Sequence, residues 1–363
     1  RINSSTDNAL TGNTFDLNLV AGIRLKDDIA NLTLDQNKFT NSALGIDIAS
    51  GAGSVTSWTV TNNDLSGNAT YGLTNGGTGT LTATCNWWGS ADYNLVWPEV
   101  TGSVTFVPYL TTSVIDPIAL GYACDGEVWP VHNVTQNKYY NNIQPAIDAL
   151  STVTGDVITV AAGTYTEDVA VNKTLTLQGA SGATVNPFTA GGSVFTVTAS
   201  SVNISGFTVS GATGGGQAGI YLGAGVASCN ISNNTLTGNY DGIWLGSGST
   251  FNTFTKNTLT GNYQGFELYH SDYNTFGSSD PLDANNASSN SQYGFKLESA
   301  DHNTFTKNIA SSNGKYGFYL AAGSSNSDFN TLTGNTANSN TEYGIRINSS
   351  TDNALTGNTF DLN

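Results

Sequence analysis

A chain of 363 residues with 10% charged side chains, 42 glycines and 7 prolines has material for a sizeable core and lies far from a disordered composition. Its net charge of −16, with 11 Lys and Arg scattered along it, argues against a nucleic-acid partner, because a phosphate backbone is bound by clustered cations. It has no apolar run of the ~18 residues that a membrane helix needs.

The acidic balance suits an extracellular setting. The lack of Met and of a signal peptide agrees with an internal piece of a longer secreted protein. Abundant Thr, Val, Ile, Tyr and Phe favour strands.

The chain opens with RINSSTDNALTGNTFDLN, Arg1 to Asn18, and the same residues return without a substitution as Arg346 to Asn363. Drift does not leave such identity. It predicts one 345-residue period, plus an overlap, of a tandem array or of a filament whose neighbouring subunits continue one another. Coils follow at Gly22 (GIRLKDD), Gly45 (GIDIAS) and Gly72 (GLTNGG). After Thr80 to Thr84 come CNWWGS and GSVTFVPYLTT, which read as a closing segment with Trp87 and Trp88 plugging the end of the core.

A break at Asp116-Pro117 introduces a linker over residues 113–138. It separates 1–112, the C-terminal coils and closing segment of one module, from 139–363, the capping helix and N-terminal coils of the next. In NNIQPAIDALSTVTGD, Ile143, Ala146, Ile147 and Leu150 recur at helical spacing. A short helix there would cover the exposed edge of the first coil. Strands are predicted at Val157–Val160, Val169–Val171, Thr174–Gly179, Ser193–Ala199 and Ser201–Val209, short and β-branched between Gly, Asn or Ser turns.

From Gly219 a regular repeat takes over. It restarts at Gly242, Gly265, Gly294, Gly317 and Gly344, in steps of 23, 23, 29, 23 and 27 residues. A near-constant period with a few inserts marks a solenoid. Alternation places Ile220/Leu222, Ile243/Leu245, Phe266/Leu268 and their successors inside. The residue between them points outward, giving the column Tyr221, Trp244, Glu267, Lys296, Tyr319, Arg346. Asn252, Asn274, Asn303, Asn330 and Asn353 align in one register, and Asn234, Asn257, Asn308, Asn335 and Asn358 in another. Stacked amides would donate and accept along the axis, and Asn tolerates the left-handed turn of a corner.

The short helix followed by GDVITVAAGTYTEDVAVNKTLTLQG, the glycine-led coils with NTFTKNTLTGN, and the CNWWGS…GSVTFVPYLTT ending resemble the right-handed parallel β-helix repeat proteins of secreted and surface-exposed bacterial and archaeal polypeptides. The resemblance implies an all-β right-handed parallel β-helix, a solenoid with one short capping α-helix. It leaves function open, because the superfamily includes pectate lyases, polygalacturonases, alginate epimerases and non-enzymatic adhesins and surface proteins.

Several constellations carry candidate chemistry. Asp272, Asp301 and Asp328 fall in one column, and stacked carboxylates repel unless a cation sits between them or they protonate, so calcium is the candidate ligand beside the alternative of solvated turn aspartates. In the next column Phe251, Tyr273, His302 and Phe329 read as an aromatic stack. Tyr221, Trp244 and Tyr319 form a candidate glycan-binding stripe, against ordinary surface variation with a Glu267/Lys296 cross-strand pair. Among the Asn-x-Ser/Thr sequons, Asn68, Asn133 and Asn286 lie nearest turns and are the expected glycosylation sites. Cys85 and Cys124 flank a domain end and form the candidate disulfide pair, whereas Cys229 reads as a small core residue.

Dense Asp clusters with a basic residue, which the resemblance would require of a lyase, are missing from these columns. The expectation is therefore a non-enzymatic structural protein, outside the cell or on its surface, that partners itself head to tail as a filament, sheath or surface layer. An adhesin or carbohydrate-binding stalk is the alternative, and a polysaccharide lyase or hydrolase a third. No cofactor other than the candidate calcium is expected.

Overall fold

A computed structural model describes residues 1–107, 109, 110 and 130–363. The chain divides into two compact units, Arg1–Trp129 and Pro130–Asn363.

In the second unit each coil is a triangle of short strands, one for each of three sheets. The coil Asn230–Ser232, Thr235–Thr237, Asp241–Leu245 lies on the coil Thr253–Thr255, Thr258–Thr260, Gln264–Tyr269 in parallel register, with Ile231 opposite Phe254, Leu236 opposite Leu259 and Ile243 opposite Phe266. Repetition builds sheets of eleven, five and eight strands. The inward side chains fall into columns, so Phe254, Phe276 and Phe305 stack with centroids 4.7 and 4.6 Å apart, and Phe266, Phe295 and Phe318 at 4.8 Å. These separations match the strand spacing, so one registration serves backbone pairing and core packing together. The first unit repeats the plan with sheets of five, five and two strands, pairing Ile23 with Ile46 and Ile46 with Leu73.

The recurring glycine has a steric cause. A Cβ on Gly242 would lie 2.7 Å from the carbonyl oxygen of Gly265, and one on Gly265 would lie 2.5 Å from that of Gly294. Successive coils approach too closely there for any side chain.

The corners differ from the sequence expectation in one respect. The left-handed residue is the one before the ladder asparagine: Phe251, Tyr273, His302 and Phe329 have φ of 57°, 58°, 57° and 56°, as does Lys256 (59°) ahead of Asn257. That turn aims the following amide inward, where Asn252, Asn257, Asn303 and Asn335 are fully buried. Three asparagine spines result rather than two. The third runs through Asn239, Asn262, Asn290, Asn313, Asn340 and Asn363. In each spine the backbone N–H of one Asn donates to Oδ1 of the next. Its Nδ2 donates to the same Oδ1 in most rungs, and back to a carbonyl of the coil before, as Asn257 does to Asn285 and Ile231. Buried amides are thereby satisfied across rungs.

The N-terminal cap is larger than a helix. Val131–Asn133 and Lys138–Tyr140, inside and at the edge of the expected linker, form a hairpin that adds antiparallel to Val157–Val160. The helix spans Ile143–Asp148 and buries Ile143, Ala146 and Ile147. Leu150 lies beyond its end and is fully exposed, contrary to the helical spacing, because Ala149 (ψ 137°) leads the chain out of the helix. Both helix ends are held from the first coils. The Glu167 carboxylate accepts from the amides of Ile143 and Gln144, and Lys173 Nζ donates to the carbonyls of Ile147, Ala149 and Thr152. A carboxylate at the N-terminus and an ammonium at the C-terminus also oppose the helix dipole favourably.

Ser201–Val209, expected as one strand, is two, Asn203–Ser205 and Thr208–Ser210, turned between sheets at Gly206 (φ 82°). The first unit closes with a turn of helix at Tyr93–Val96 and an aromatic cluster in which Phe106 meets Trp88, Tyr93 and Trp97. Trp88 is buried there and Trp87 half-buried. Cys85 is disulfide-bonded, and its expected partner Cys124 lies outside the described residues. Cys229 is a free, buried thiol, as its reading predicted.

Candidate interaction surfaces and the terminal rungs

The outward column stands in the expected order. Tyr221 pairs with Trp244, Trp244 with Glu267, Glu267 with Lys296, Lys296 with Tyr319 and Tyr319 with Arg346. Its rings are turned toward their neighbours along the axis. Tyr221 and Trp244 stack at 4.5 Å, and the Arg346 guanidinium lies 5.3 Å from the Tyr316 centroid and 5.6 Å from that of Tyr319. The flat faces a sugar would use are thus partly occupied by neighbours in the column.

Lys296 bridges Glu267 at 2.7 Å and Glu298 at 2.9 Å. Burial works against its charge, but Glu267 and Glu298 together outweigh burial and raise the lysine pKa. Three residues earlier in each strand, in the column Ala218, Asp241, Gln264, Tyr293, Tyr316, Tyr343, lies a buried carboxyl that sequence reading missed. Asp241 is fully buried, and Gln264 Nε2 donates to its Oδ1 at 2.9 Å. Burial first, then the charge of Glu267, pushes its pKa up to about 8. The signal available in the sequence was a charged residue directly before a coil's glycine, a position otherwise held by Ala, Leu, Gln or Tyr.

Asp272, Asp301 and Asp328 do share one column. Each directs Oδ1 along the axis to accept the next rung's amide: Asp272 from Asp301 at 2.8 Å, Asp301 from Asp328 at 2.7 Å, and Asp328 from Thr351 at 2.6 Å. These amide bonds offset the mutual repulsion that suggested calcium. No group of three His, Cys, Asp or Glu arranged to hold a metal occurs among the described residues. Beside them Phe251, Tyr273, His302 and Phe329 stack at 5.5, 4.7 and 5.0 Å.

The expected glycosylation sites sit in constrained surroundings. Asn133 is fully buried, with Nδ2 donating to Thr152 and Asp156. Asn68 is a spine residue whose Nδ2 donates to the carbonyls of Phe39 and Leu65, both at 2.8 Å. Asn286 is half-buried and its Oδ1 is enclosed.

The repeated eighteen residues fold alike in both places. Ser4, Asp7, Gly12 and Leu17 have φ of 41°, 53°, 70° and 56°, and their counterparts Ser349, Asp352, Gly357 and Leu362 have 55°, 55°, 63° and 56°. Their bonding is complementary. In the first copy Asn13 donates upward to Asn37 Oδ1, and Asn18 to Ser42 Oγ. In the second, Asn358 and Asn363 accept from the rung below, from Asn335 and Asn340. One copy is bonded on its upper edge and the other on its lower. Apolar side chains on this rung are left open: Ile347 is 42% exposed and Leu355 39%, where Leu320 and Leu332 of the preceding rung are fully buried.

The family model described as "right handed beta helix region" matches residues 1–87 and 192–360. The chain belongs to the right-handed β-helix family. This β-helix protein is 41% identical over 106 residues to a cell surface glycoprotein of Methanothermus fervidus, a match covering 29% of the chain and 17% of that protein. The chain therefore spans only a small part of this relative's length. Among solved structures, the periplasmic alginate epimerase AlgG matches with 13% identity and a TM-score of 0.46 over 93% of this chain and 76% of that one. The A-module of the Azotobacter vinelandii mannuronan C-5 epimerase AlgE6 matches with 12% identity and a TM-score of 0.42, over 97% of this chain and 89% of that one. A pectin methylesterase matches with 14% identity and a TM-score of 0.33, over 59% of this chain and 78% of that one. The expectation that the chain is not an enzyme is corrected by these neighbours. They are carbohydrate-processing enzymes on a β-helix, so this fold gives no ground for excluding catalysis, and at such identity they assign no catalytic residue here.

Proposed function

We propose that this chain is a stretch of a tandem β-helix array displayed at the cell surface, in which Arg346–Asn363 of one period and Arg1–Asn18 of the next are a single rung. The observation that supports the proposal is the exact recurrence: the same eighteen residues, with the same left-handed turns, bond to Asn37 and Ser42 in one place and to Asn335 and Asn340 in the other. Laid together, they join Asn335, Asn358 and Asn37 into one uninterrupted spine. A complete module then runs from the hairpin and helix at Pro130 through Asn363 and on from Leu19 to the aromatic closure. Identical modules joined head to tail make open assemblies that do not close on themselves, suited to a fibre, sheath or surface layer whose axial hydrogen bonds and stacked columns carry load. The relative named as a cell surface glycoprotein supports the location.

The test is the intact mass of the native polypeptide under denaturing conditions, with protease shaving of whole cells. A mass containing several 345-residue periods, released by shaving, is the expected result. A polypeptide holding a single period, with no copy of the rung sequence beyond the two at 1–18 and 346–363, sinks the array.

A further inference from the structure

The sequons are spread over the chain, but the fold divides them by what their side-chain amides already do. N-glycosylation forms a bond between Asn Nδ2 and the anomeric carbon of a sugar. The bond from that carbon to the phosphate of a polyprenyl-linked glycan donor breaks, the phosphate leaves with the electron pair, and one amide proton passes to a base of the transferase. The modified nitrogen keeps one hydrogen and needs open space around it.

Asn68 meets neither condition. Both its amide hydrogens are engaged, Ser42 N–H donates to its Oδ1, and its Nδ2 lies 2.8 Å from where a Cβ on Gly45 would stand. Asn133 is enclosed among Thr152, Asp156 and Gln136. Two exposed sequon residues also have committed amides: Asn31 donates to Asp7, and Asn203 to Thr176. Asn348 lies in the open terminal rung, whose surroundings change when another rung is laid on it.

Asn286 is half-buried with its Oδ1 enclosed, which leaves Asn172, Asn230 and Asn233. All three are exposed, and their side-chain amides make no hydrogen bond to another described residue. Asn230 opens the strand Asn230–Ser232, where alternation sends Asn230 and Ser232 to the outer face while Ile231 is buried inside. Asn233 occupies a left-handed corner (φ 55°) that directs it outward, and its sequon hydroxyl, Thr235, is exposed as well. Asn172 follows the strand Val169–Val171 at a turn.

We propose that the chain carries N-linked glycans at Asn172, Asn230 and Asn233 and none at Asn68 or Asn133. The proposal rests on the surface reading above, since such transferases meet exported chains. A glycan at the three free sites costs no internal hydrogen bond. At the two enclosed sites it would break a buried network.

Site-by-site glycopeptide mass spectrometry of the full native chain tests this, with protease shaving of intact cells run in parallel. Expected is glycan mass on the peptides holding Asn172, Asn230 and Asn233, lost site by site in Asn172→Gln, Asn230→Gln and Asn233→Gln, and unmodified Asn68 and Asn133. Glycan on Asn68 or Asn133 overturns the sorting. Unmodified peptides at all three free sites also overturn the proposal, and the shaving result then shows whether the surface reading stands without it or falls with it.

Discussion

Asp241 occupies the position directly ahead of a coil's glycine, and only comparison with the other coils marks it as different from a turn aspartate. What sets it apart is long-range: the next coil brings Gln264 onto its Oδ1 and places Glu267 near it, while the sheet closes water out. Burial, followed by the Glu267 charge, lifts its pKa from 3.8 to about 8. The consequence has a definite sign. Below pH ~4 the carboxyl is protonated in folded and unfolded chain alike and costs nothing. Between pH ~4 and ~8 the unfolded chain releases the proton and the folded chain keeps it, so stability falls as pH rises, and it levels off above. Asp241→Asn keeps the acceptor for Gln264 and removes the ionisation. Melting temperature against pH should show a shallower decline for Asp241→Asn than for the parent chain, with the variant more stable at pH 8 by at least ~1 kcal/mol. Parallel curves would mean that Asp241 does not hold its proton.

Strands and coils were the part of the fold most open to sequence reading, because a period of two within each strand and a period near 23 between coils are both written in side-chain type. Ile243, Leu245, Phe266 and Leu268 lie inside as alternation requires. The corners were less legible, since the residue taking the left-handed turn can be Phe, Tyr, His, Lys or Ser, and the place is signalled chiefly by the asparagine that most often follows it. The third spine was overlooked although Gly238-Asn239 and Gly261-Asn262 announced it. Glu167 and Lys173 could not be read as helix caps, because each acts on residues about two dozen positions earlier. Leu150 misled by matching a helical spacing beyond the last turn. The coil glycine, by contrast, makes a sharp prediction. A methyl at Gly265 would meet the Gly294 carbonyl oxygen at 2.5 Å and Ala287 Cβ at 2.9 Å, both held by packed neighbours. Gly265→Ala should therefore force the two coils apart and lower stability by ~1–3 kcal/mol in denaturant melts. Gly216→Ala, where no atom lies within 4 Å but φ is 75°, tests backbone strain alone and should cost about 1 kcal/mol.

At the scale of the molecule, each unit has a capped end and each carries one copy of the repeated rung. The second unit begins with a hairpin and helix whose ends are tied down, and stops at a rung with Ile347 and Leu355 uncovered. The first unit starts on that same rung and ends in an aromatic closure. If the two open edges belong together, a permuted chain in which Pro130–Asn363 is followed directly by Leu19–Trp129, with the duplicate removed, contains one fully capped solenoid. Asn358 N–H and Nδ2 would then donate to Asn37 Oδ1 as Asn13 does now, and covering the exposed Ile347 and Leu355 side chains would add roughly 1–3 kcal/mol each. The permuted chain should melt in a single transition above that of the native order, and hydrogen exchange at Asn358 and Asn363 should slow by at least tenfold, the equivalent of ~1.4 kcal/mol of added protection. Two separate transitions, with exchange over residues 346–363 unchanged, would show that the shared sequence does not make one rung. The array would then lose its structural basis even though the repeat remains in the sequence.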